Sequence, residues 1–338
     1  MSVKAVTQMN PGDVRALLSA RSRPFSEVVG LPQRGIGPLP TARLIVDKAT
    51  RDRIVIFDPS LAPYLQRVVR SVDVRPWHSE APRSLITLTP EWTTATFGAG
   101  IDAAQAWERM AERCPPLHQH LAHAAAFHPT DETWWELFIR DIAIFAQPRI
   151  IWPVACVAQR FALTEPGWLA GPGTCHAPGS FFLLGVLMSR LAWLALTAEC
   201  RVGNVYRLLP ERVGQLPIPD ATDTERAAVE SLVQRIVALT RERALLERQF
   251  TQRLLKDFGP PGVTPGVHLE RWWDLQFDAL RSAIATRFGG DIPARFRDQW
   301  AAQHADAVTR RVALSETIVL AEDTLNAHVA RLYGAGRG

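Results

Sequence analysis

Paired cysteines are absent from this 338-residue sequence, and lysine, asparagine and tyrosine are scarce. The four cysteines, Cys114, Cys156, Cys175 and Cys200, stand far apart and form no Cys-x-x-Cys pair. That argues against a zinc ribbon and fits reduced thiols in a cytoplasmic setting. No apolar run reaches the roughly 18–20 residues that a membrane span needs. Ser180–Leu196 comes nearest, and Arg190 interrupts it. The opening residues, Met-Ser-Val-Lys-Ala-Val-Thr-Gln, lack the apolar centre of a signal peptide. Of 38 basic residues only Lys4, Lys48 and Lys256 are lysines. The positive charge is therefore almost wholly arginine.

Catalytic signatures are missing as well. The three asparagines are Asn10, Asn204 and Asn326. None opens an Asn-Pro-Pro-aromatic loop, the form that holds the amino group of a flipped adenine, and no Asp-Pro-Pro-aromatic stands in for it. Asn10-Pro-Gly-Asp13 is the nearest approach and lacks the aromatic residue. Phe97-Gly-Ala-Gly100 resembles the glycine turn of a cofactor-binding βα unit, but Trp-Thr-Thr-Ala-Thr precedes it and no second strand follows. A turn at the start of a helix is the simpler reading. No phosphate loop, Gly-x-Ser-x-Gly elbow or His-Glu-x-x-His occurs. The chain is thus expected to carry no catalytic residue, no metal set and no cofactor of its own. His118, His120, His123 and His128 fall close enough together to raise the question of zinc. His120 and His123 share a helix face while His118 points elsewhere, which favours a solvated helix. Trp134-Trp135 and Trp272-Trp273 are read as packing residues rather than as platforms for stacked bases.

What is present is a globular composition, with 47% hydrophobic and 21% charged residues, net charge +4 and pI about 9.1. The length suffices for two domains. Mild basicity permits nucleic-acid binding without requiring it. Arginine's planar fork suits phosphate or the O6/N7 edge of guanine, although a GC-rich genome gives the same bias.

Residues 1–20 read as a lead with a helical patch at Pro11–Ala20. Ala42–Asp47, Arg53–Phe57 and Arg83–Leu88 are β-branched runs expected to be strands. Ser60–Val69, Ile101–Cys114, Leu117–Phe127 and Thr133–Ile139 are expected helices. Ile150–Trp152 and Arg160–Leu163 follow as strands, then a Gly/Pro-rich loop, Gly167–Gly179, and a buried helix, Phe181–Ala198. After Pro219 the pattern changes. Asp220 and Thr222 offer N-cap oxygens, and Thr224–Phe258 carries an apolar stripe along a long charged helix. Gly259–Gly262 and Pro265-Gly266 mark a linker, and Leu269–Phe288 and Pro293–Leu332 are helical.

Four motifs in order then stand out: Pro148-Arg-Ile-Ile-Trp-Pro153, Arg160-Phe-Ala-Leu163, Leu183-Leu-Gly-Val-Leu-Met-Ser189 and Leu216-Pro-Ile-Pro219. Together they resemble the TaqI-type C-terminal specificity domain. That domain accompanies adenine-specific DNA methyltransferases, type IIG restriction–modification enzymes and the BREX methyltransferase PglX. Ala42–Asp47 and Leu65–Trp77 are similar to its opening strand and its basic-Asp-Arg-Trp segment, and Leu325–Gly334 to its closing helix. The likeness spans about residues 22–334. It departs from the family at Met188-Ser189, where Asn-Ser is usual, and in having no methyltransferase half.

The resemblance implies an α+β fold: a mixed target-recognition domain at 21–219, then a helical, coiled-coil-like spacer and docking region at 220–334. It implies a specificity subunit, or a split fragment, that binds duplex DNA and directs a methyltransferase or methyltransferase–nuclease partner in restriction–modification or phage defence. S-adenosylmethionine would sit on that partner. Strands and loops that present Arg or Gln to a groove suit such a role. The candidates are Arg149, Gln159 and Arg160 around the central strands, with Arg70, Arg75 and Trp77 as a second patch. Two alternatives stay open at this point. One is a helical scaffold of a defence complex that reads no DNA. The other is an enzyme built on the histidine cluster.

Overall fold

The computed structural model describes residues 18, 22–37, 44–125, 132–137 and 142–334. The helical patch expected at Pro11–Ala20 falls almost wholly outside them. The fold is mixed α+β, with several small sheets and long C-terminal helices. The chain divides into two compact units: residues 1–230 with 328–338, and residues 231–327.

The first unit begins with β1 (Ser22–Pro24), α1 (Phe25–Val29), β2 (Gln33–Arg34) and β3 (Ile45–Val46). Asp47 then accepts a hydrogen bond from the Thr50 amide and starts α2 (Lys48–Phe57). A strand was expected over Arg53–Phe57. The cap and the preceding Asp47-Lys-Ala-Thr turn win over the β-branched run. Only Ile54 of that run is buried, while Ile56 and Phe57 face outward. Asp58 caps a short 3-10 turn, and the expected helix over Ser60–Val69 becomes this turn followed by β4 (Leu65–Val69). Next come β5 (Trp77–His78) and β6 (Arg83–Ile86).

Three helices follow: α3 (Pro90–Phe97), α4 (Ala103–Arg113) and α5 (Pro115–Ala125). Gly98, at φ +107°, ends α3. Phe97-Gly-Ala-Gly100 therefore closes a helix rather than opening one. Part of the expected Thr133–Ile139 element lies outside the described residues. Trp107 of α4 packs on Trp135, ring centroids 5.4 Å apart, and both Trp134 and Trp135 are buried.

β7 (Arg149–Pro153) is buried along its whole length. After β8 (Ala155–Cys156) and β9 (Ala162–Leu163), the stretch expected to be a loop holds two strands, β10 (Leu169–Ala170) and β11 (Thr174–Pro178). Two of its glycines allow close packing, since a Cβ at Gly171 would meet Val68 and one at Gly179 would meet Ile150. Gly35 donates its amide to the Thr174 carbonyl, and a Cβ there would collide with the Gly171 carbonyl and the Thr174 hydroxyl.

The apolar segment is two helices, α6 (Phe181–Leu187) and α7 (Arg190–Cys200), where one was expected. Ser189 causes the break by accepting from the Ala192 amide, which caps α7. No single described helix is long and apolar enough to cross a membrane, and α6 and α7 are bent by 56° at their break.

The unit ends with β12 (Arg201–Val202), β13 (Val205–Arg207), α8 (Pro210–Gly214) and β14 (Pro217–Pro219). The strands form a five-stranded sheet β2-β11-β7-β9-β5, a four-stranded sheet β10-β4-β6-β3, a three-stranded sheet β12-β13-β8, and the pair β1-β14. The Leu-Pro-Ile-Pro motif is thus a strand, antiparallel to β1 with Arg23 opposite Ile218. The buried Tyr333 hydroxyl donates to the Pro217 carbonyl at 2.6 Å, fastening the same motif from the far end of the sequence.

Helix α9 (Asp223–Phe258) starts with a reciprocal capping box between Thr222 and Glu225. The second unit takes most of α9 together with α10 (Gly266–Glu270), α11 (Phe277–Phe288) and most of α12 (Arg297–Leu332). Its core centres on Trp272, which stacks on Phe250 at 4.0 Å. Its charges are laced together: Asp291 holds Arg281 and Arg297, and Glu247 lies between Arg243 and Arg311.

Candidate nucleic-acid interface

The six residues singled out from sequence occupy very different environments. Arg149, the first residue of β7, is 7% exposed. Its Nε donates to His176 Nδ1 at 2.8 Å, and His176 in turn packs on Phe145 at 5.0 Å. Burial, and then the Arg149 cation, push the His176 imidazole down to about 4. It is therefore a neutral acceptor near pH 7. Arg149 is thus an internal group of the central sheet, well placed to fix the β7–β11 pair.

Gln159 also works inward. Its amide nitrogen donates to the Leu187 and Ser189 carbonyls, which tie the β8–β9 loop to the α6–α7 break. Arg70 pairs with the buried Asp73 through Nε at 2.8 Å, while Asp73 accepts the Arg70 amide and shapes the turn after β4. Trp77 is 2% exposed and takes a positive φ of 73°, strained for a bulky residue. Its amide donates to the Phe161 carbonyl and its strand runs parallel to β9. A tryptophan so enclosed offers no face to a base. Arg75 is exposed beside it. Arg160 is half-buried, and its cation lies near the Cys156 thiol, which burial holds above the usual thiol range.

Arg160 leads to a surface that the sequence reading passed over. Cys156 pairs with Tyr206 in the three-stranded sheet β12-β13-β8, and Arg207 stands opposite Ala155. β12 and β13 form a hairpin with a two-residue turn, Gly203-Asn204. Gly203 has φ +60°, the first central residue of a turn that only glycine adopts freely. Four consecutive residues, Arg201–Asn204, are exposed, as is Arg207. Tyr206 points the other way and meets Trp193 of α7 edge-on at 5.0 Å, which fixes the ribbon to the body of the unit. No carboxylate occurs within Ala155–Arg160 or Arg201–Arg207. Neither Arg160 nor Arg207 forms an ion pair among the described residues. The signal was in the sequence: Gly-Asn flanked by Val202 and Val205 is a hairpin pattern.

The histidines do not converge. His118 packs on Trp107 at 4.3 Å and burial lowers its pKa. His123 Nδ1 lies 2.9 Å from the Gln119 carbonyl. His128 lies outside the described residues. No group of three or more His, Cys, Asp or Glu among the described residues is placed to hold a metal ion. The cysteines are buried, with Cys114 pushed up to about 11 by burial and the neighbouring Asp58, and Cys175 to about 12 by burial.

Residues 222–329 match the family described as Domain of unknown function (DUF8810), a match that brackets the second unit and covers less than half of the chain. No curated protein matches the sequence. Among solved structures the chain is similar to the Type IIL restriction-modification enzyme MmeI in complex with DNA, at 12% identity and a TM-score of 0.42. That similarity covers 86% of this chain and 37% of MmeI, so the chain spans little more than a third of that enzyme. So loose a likeness transfers neither fold nor role.

Proposed function

We propose that this chain is a DNA-recognition module of a restriction–modification or phage-defence system. It works beside a separate subunit that methylates adenine and supplies S-adenosylmethionine and the base-flipping pocket. The observation that carries this reading is the acid-free β12-β13-β8 sheet, which exposes Arg201 and Arg207 on its two faces, with half-buried Arg160 in the loop that follows β8. Cations left without carboxylates suit a polyanion, and their contacts would make affinity salt-dependent. The order of motifs from Pro148 to Pro219 supports the same role. The test is duplex binding by the full chain, alone and with its methyltransferase, across a salt series. Affinity should fall steeply with salt, and Arg160→Glu with Arg207→Glu should weaken it at least tenfold and flatten the salt slope. Absence of salt-dependent duplex binding in both settings would remove the proposal.

A second reading, a helical scaffold that reads no DNA, is favoured by one observation. Val312, Val319 and Leu320 of α12 are exposed, with Leu320 at 68%. Under it, Val319→Asp with Leu320→Asp abolishes partner binding, and the arginine reversals leave DNA-linked activity unchanged.

A further inference from the structure

We infer that the 201–207 hairpin is the base-reading element, entering the major groove of duplex DNA with Asn204 at its tip. This rests on the DNA-recognition reading above and goes beyond it by assigning roles to particular residues. The geometry is that of a two-stranded ribbon, whose strands lie about 5 Å apart, and the major groove, about 12 Å wide, admits one. The turn is tight. Val202 pairs with Val205, leaving only Gly203 and Asn204 beyond the last pair. Gly203, without a side chain, keeps the tip narrow.

Pleating then sorts the side chains. Arg201, Tyr206 and Cys156 share one face, which is covered where Tyr206 meets Trp193 and where Cys156 is buried. Val202, Val205, Arg207 and Ala155 share the other, with Val202 52% exposed and Ala155 open as well. Val157, two residues beyond Ala155, is 65% exposed. An uncovered sheet face carrying valines is unusual in isolation. Its occupant is indicated by charge. Arg207 stands on this face, Arg201 on the other near the tip, and no carboxylate occurs within 155–160 or 201–207.

Each part has a counterpart in duplex DNA. An asparagine amide pairs in two-point fashion with adenine N6 and N7, and apolar side chains meet the thymine methyl. Arg207, set back from the tip, reaches phosphate and holds the register. Arg201 folds its Nε toward the Gly203 carbonyl and stiffens the turn.

The experiment selects preferred duplexes from a randomised library, using the full chain with its methyltransferase, for the unaltered protein and for Asn204→Ala. Asn204 is exposed, so its replacement leaves the fold intact. Asn204→Ala is expected to lose discrimination at one A·T position by about tenfold to a hundredfold. Affinity for unselected DNA should stay within about twofold. A second variant, Val202→Ser, is expected to relax a neighbouring position. If the unaltered protein selects a site and both variants select it equally well, the hairpin is not the reader, although DNA recognition stands. If the variants keep the site and instead lose the methyltransferase, the face is a protein interface and the assignment is overturned. If the unaltered protein selects no site and binds no duplex, the DNA-recognition reading fails at its root and takes the hairpin with it.

Discussion

The two units spend arginine differently. In the second unit, several arginines are tied to carboxylates: Asp291 holds Arg281 at 2.5 Å and Arg297 at 2.9 Å, and Glu247 holds Arg311 at 2.7 Å. Arg311 also lies over the Trp273 ring and Arg253 over Trp300. These cations are part of how the helices pack, since guanidinium groups lie flat on aromatic faces. The first unit also pairs arginine with carboxylates, as at Arg70–Asp73 and Arg51–Asp52, and adds two extremes. Arg149 is inside the central sheet against a neutral histidine, whereas Arg207 on the ribbon and Arg160 after β8 form no ion pair among the described residues. A cation bound to a carboxylate inside its own unit has little left for a partner. A cation that forms no ion pair keeps its charge available. The contrast separates arginines that build from arginines that can bind, a distinction that net charge alone conceals.

The comparison is broken most forcefully at Trp272. It is fully buried, stacks on Phe250, and donates its indole N–H to the Glu247 carbonyl. Its own carbonyl lies 3.2 Å from His304 Nε2. Replacing it with alanine removes the stack and leaves a cavity, which costs about 3–5 kcal/mol. Amide exchange followed residue by residue should show protection lost across 246–307 while β7 and β11 keep theirs. Equal loss in both would mean that the two units do not hold their cores separately.

The next effect lies in the first unit and is set by pH. His176 is 2% exposed and its pKa falls from 6.5 to about 4 in the fold. The unfolded chain therefore binds a proton in the window between those values that the folded chain refuses. Stability is full above about 6.5 and declines as pH drops toward 4, by on the order of 3 kcal/mol at most. Burial shifts His118 and His328 the same way. Denaturant unfolding at pH 7 and pH 4.5 measures the loss, and His176→Gln, which cannot take the proton, should shrink it. An unchanged difference in that variant would move the cause elsewhere.

Much of the architecture was legible in the residues. The long helix from Asp223 to Phe258 follows from its apolar stripe and its Thr222–Glu225 box, and β7 from the Ile-Ile-Trp run. Arg53–Phe57 was not legible as a helix. Its β-branched residues suit a strand, and only the Asp47 cap, six residues earlier, decides the matter. The break between α6 and α7 hides in an apolar run because a single serine makes it. The candidate interface was legible in part. Arg160 lies on the exposed ribbon's margin. Arg149 and Trp77, named as candidates from the sequence, are enclosed by partners far away in it, 27 residues for His176 and 84 for Phe161, and no local pattern reports such contacts. Gly203-Asn204 carried a plain turn signal that was overshadowed by the adjacent apolar helix.

The smallest expected effect on stability is at Arg207, and it sharpens the comparison most. The side chain is exposed and forms no ion pair among the described residues, so Arg207→Ala should change unfolding free energy by less than about 0.5 kcal/mol. Its effect on duplex binding should be distinct. Each phosphate contact removed lowers the slope of log K against log salt by about 0.9. Arg281→Ala serves as the counterpart, because that cation is already neutralised by Asp278 and Asp291 within its own unit. It should leave the salt slope where it was. The decisive outcome is the pair of slopes. A fall for Arg207→Ala beside no change for Arg281→Ala supports the division between binding and building arginines. Equal slopes for both variants would mean that charge on this protein acts as a general field, with no special standing for the ribbon.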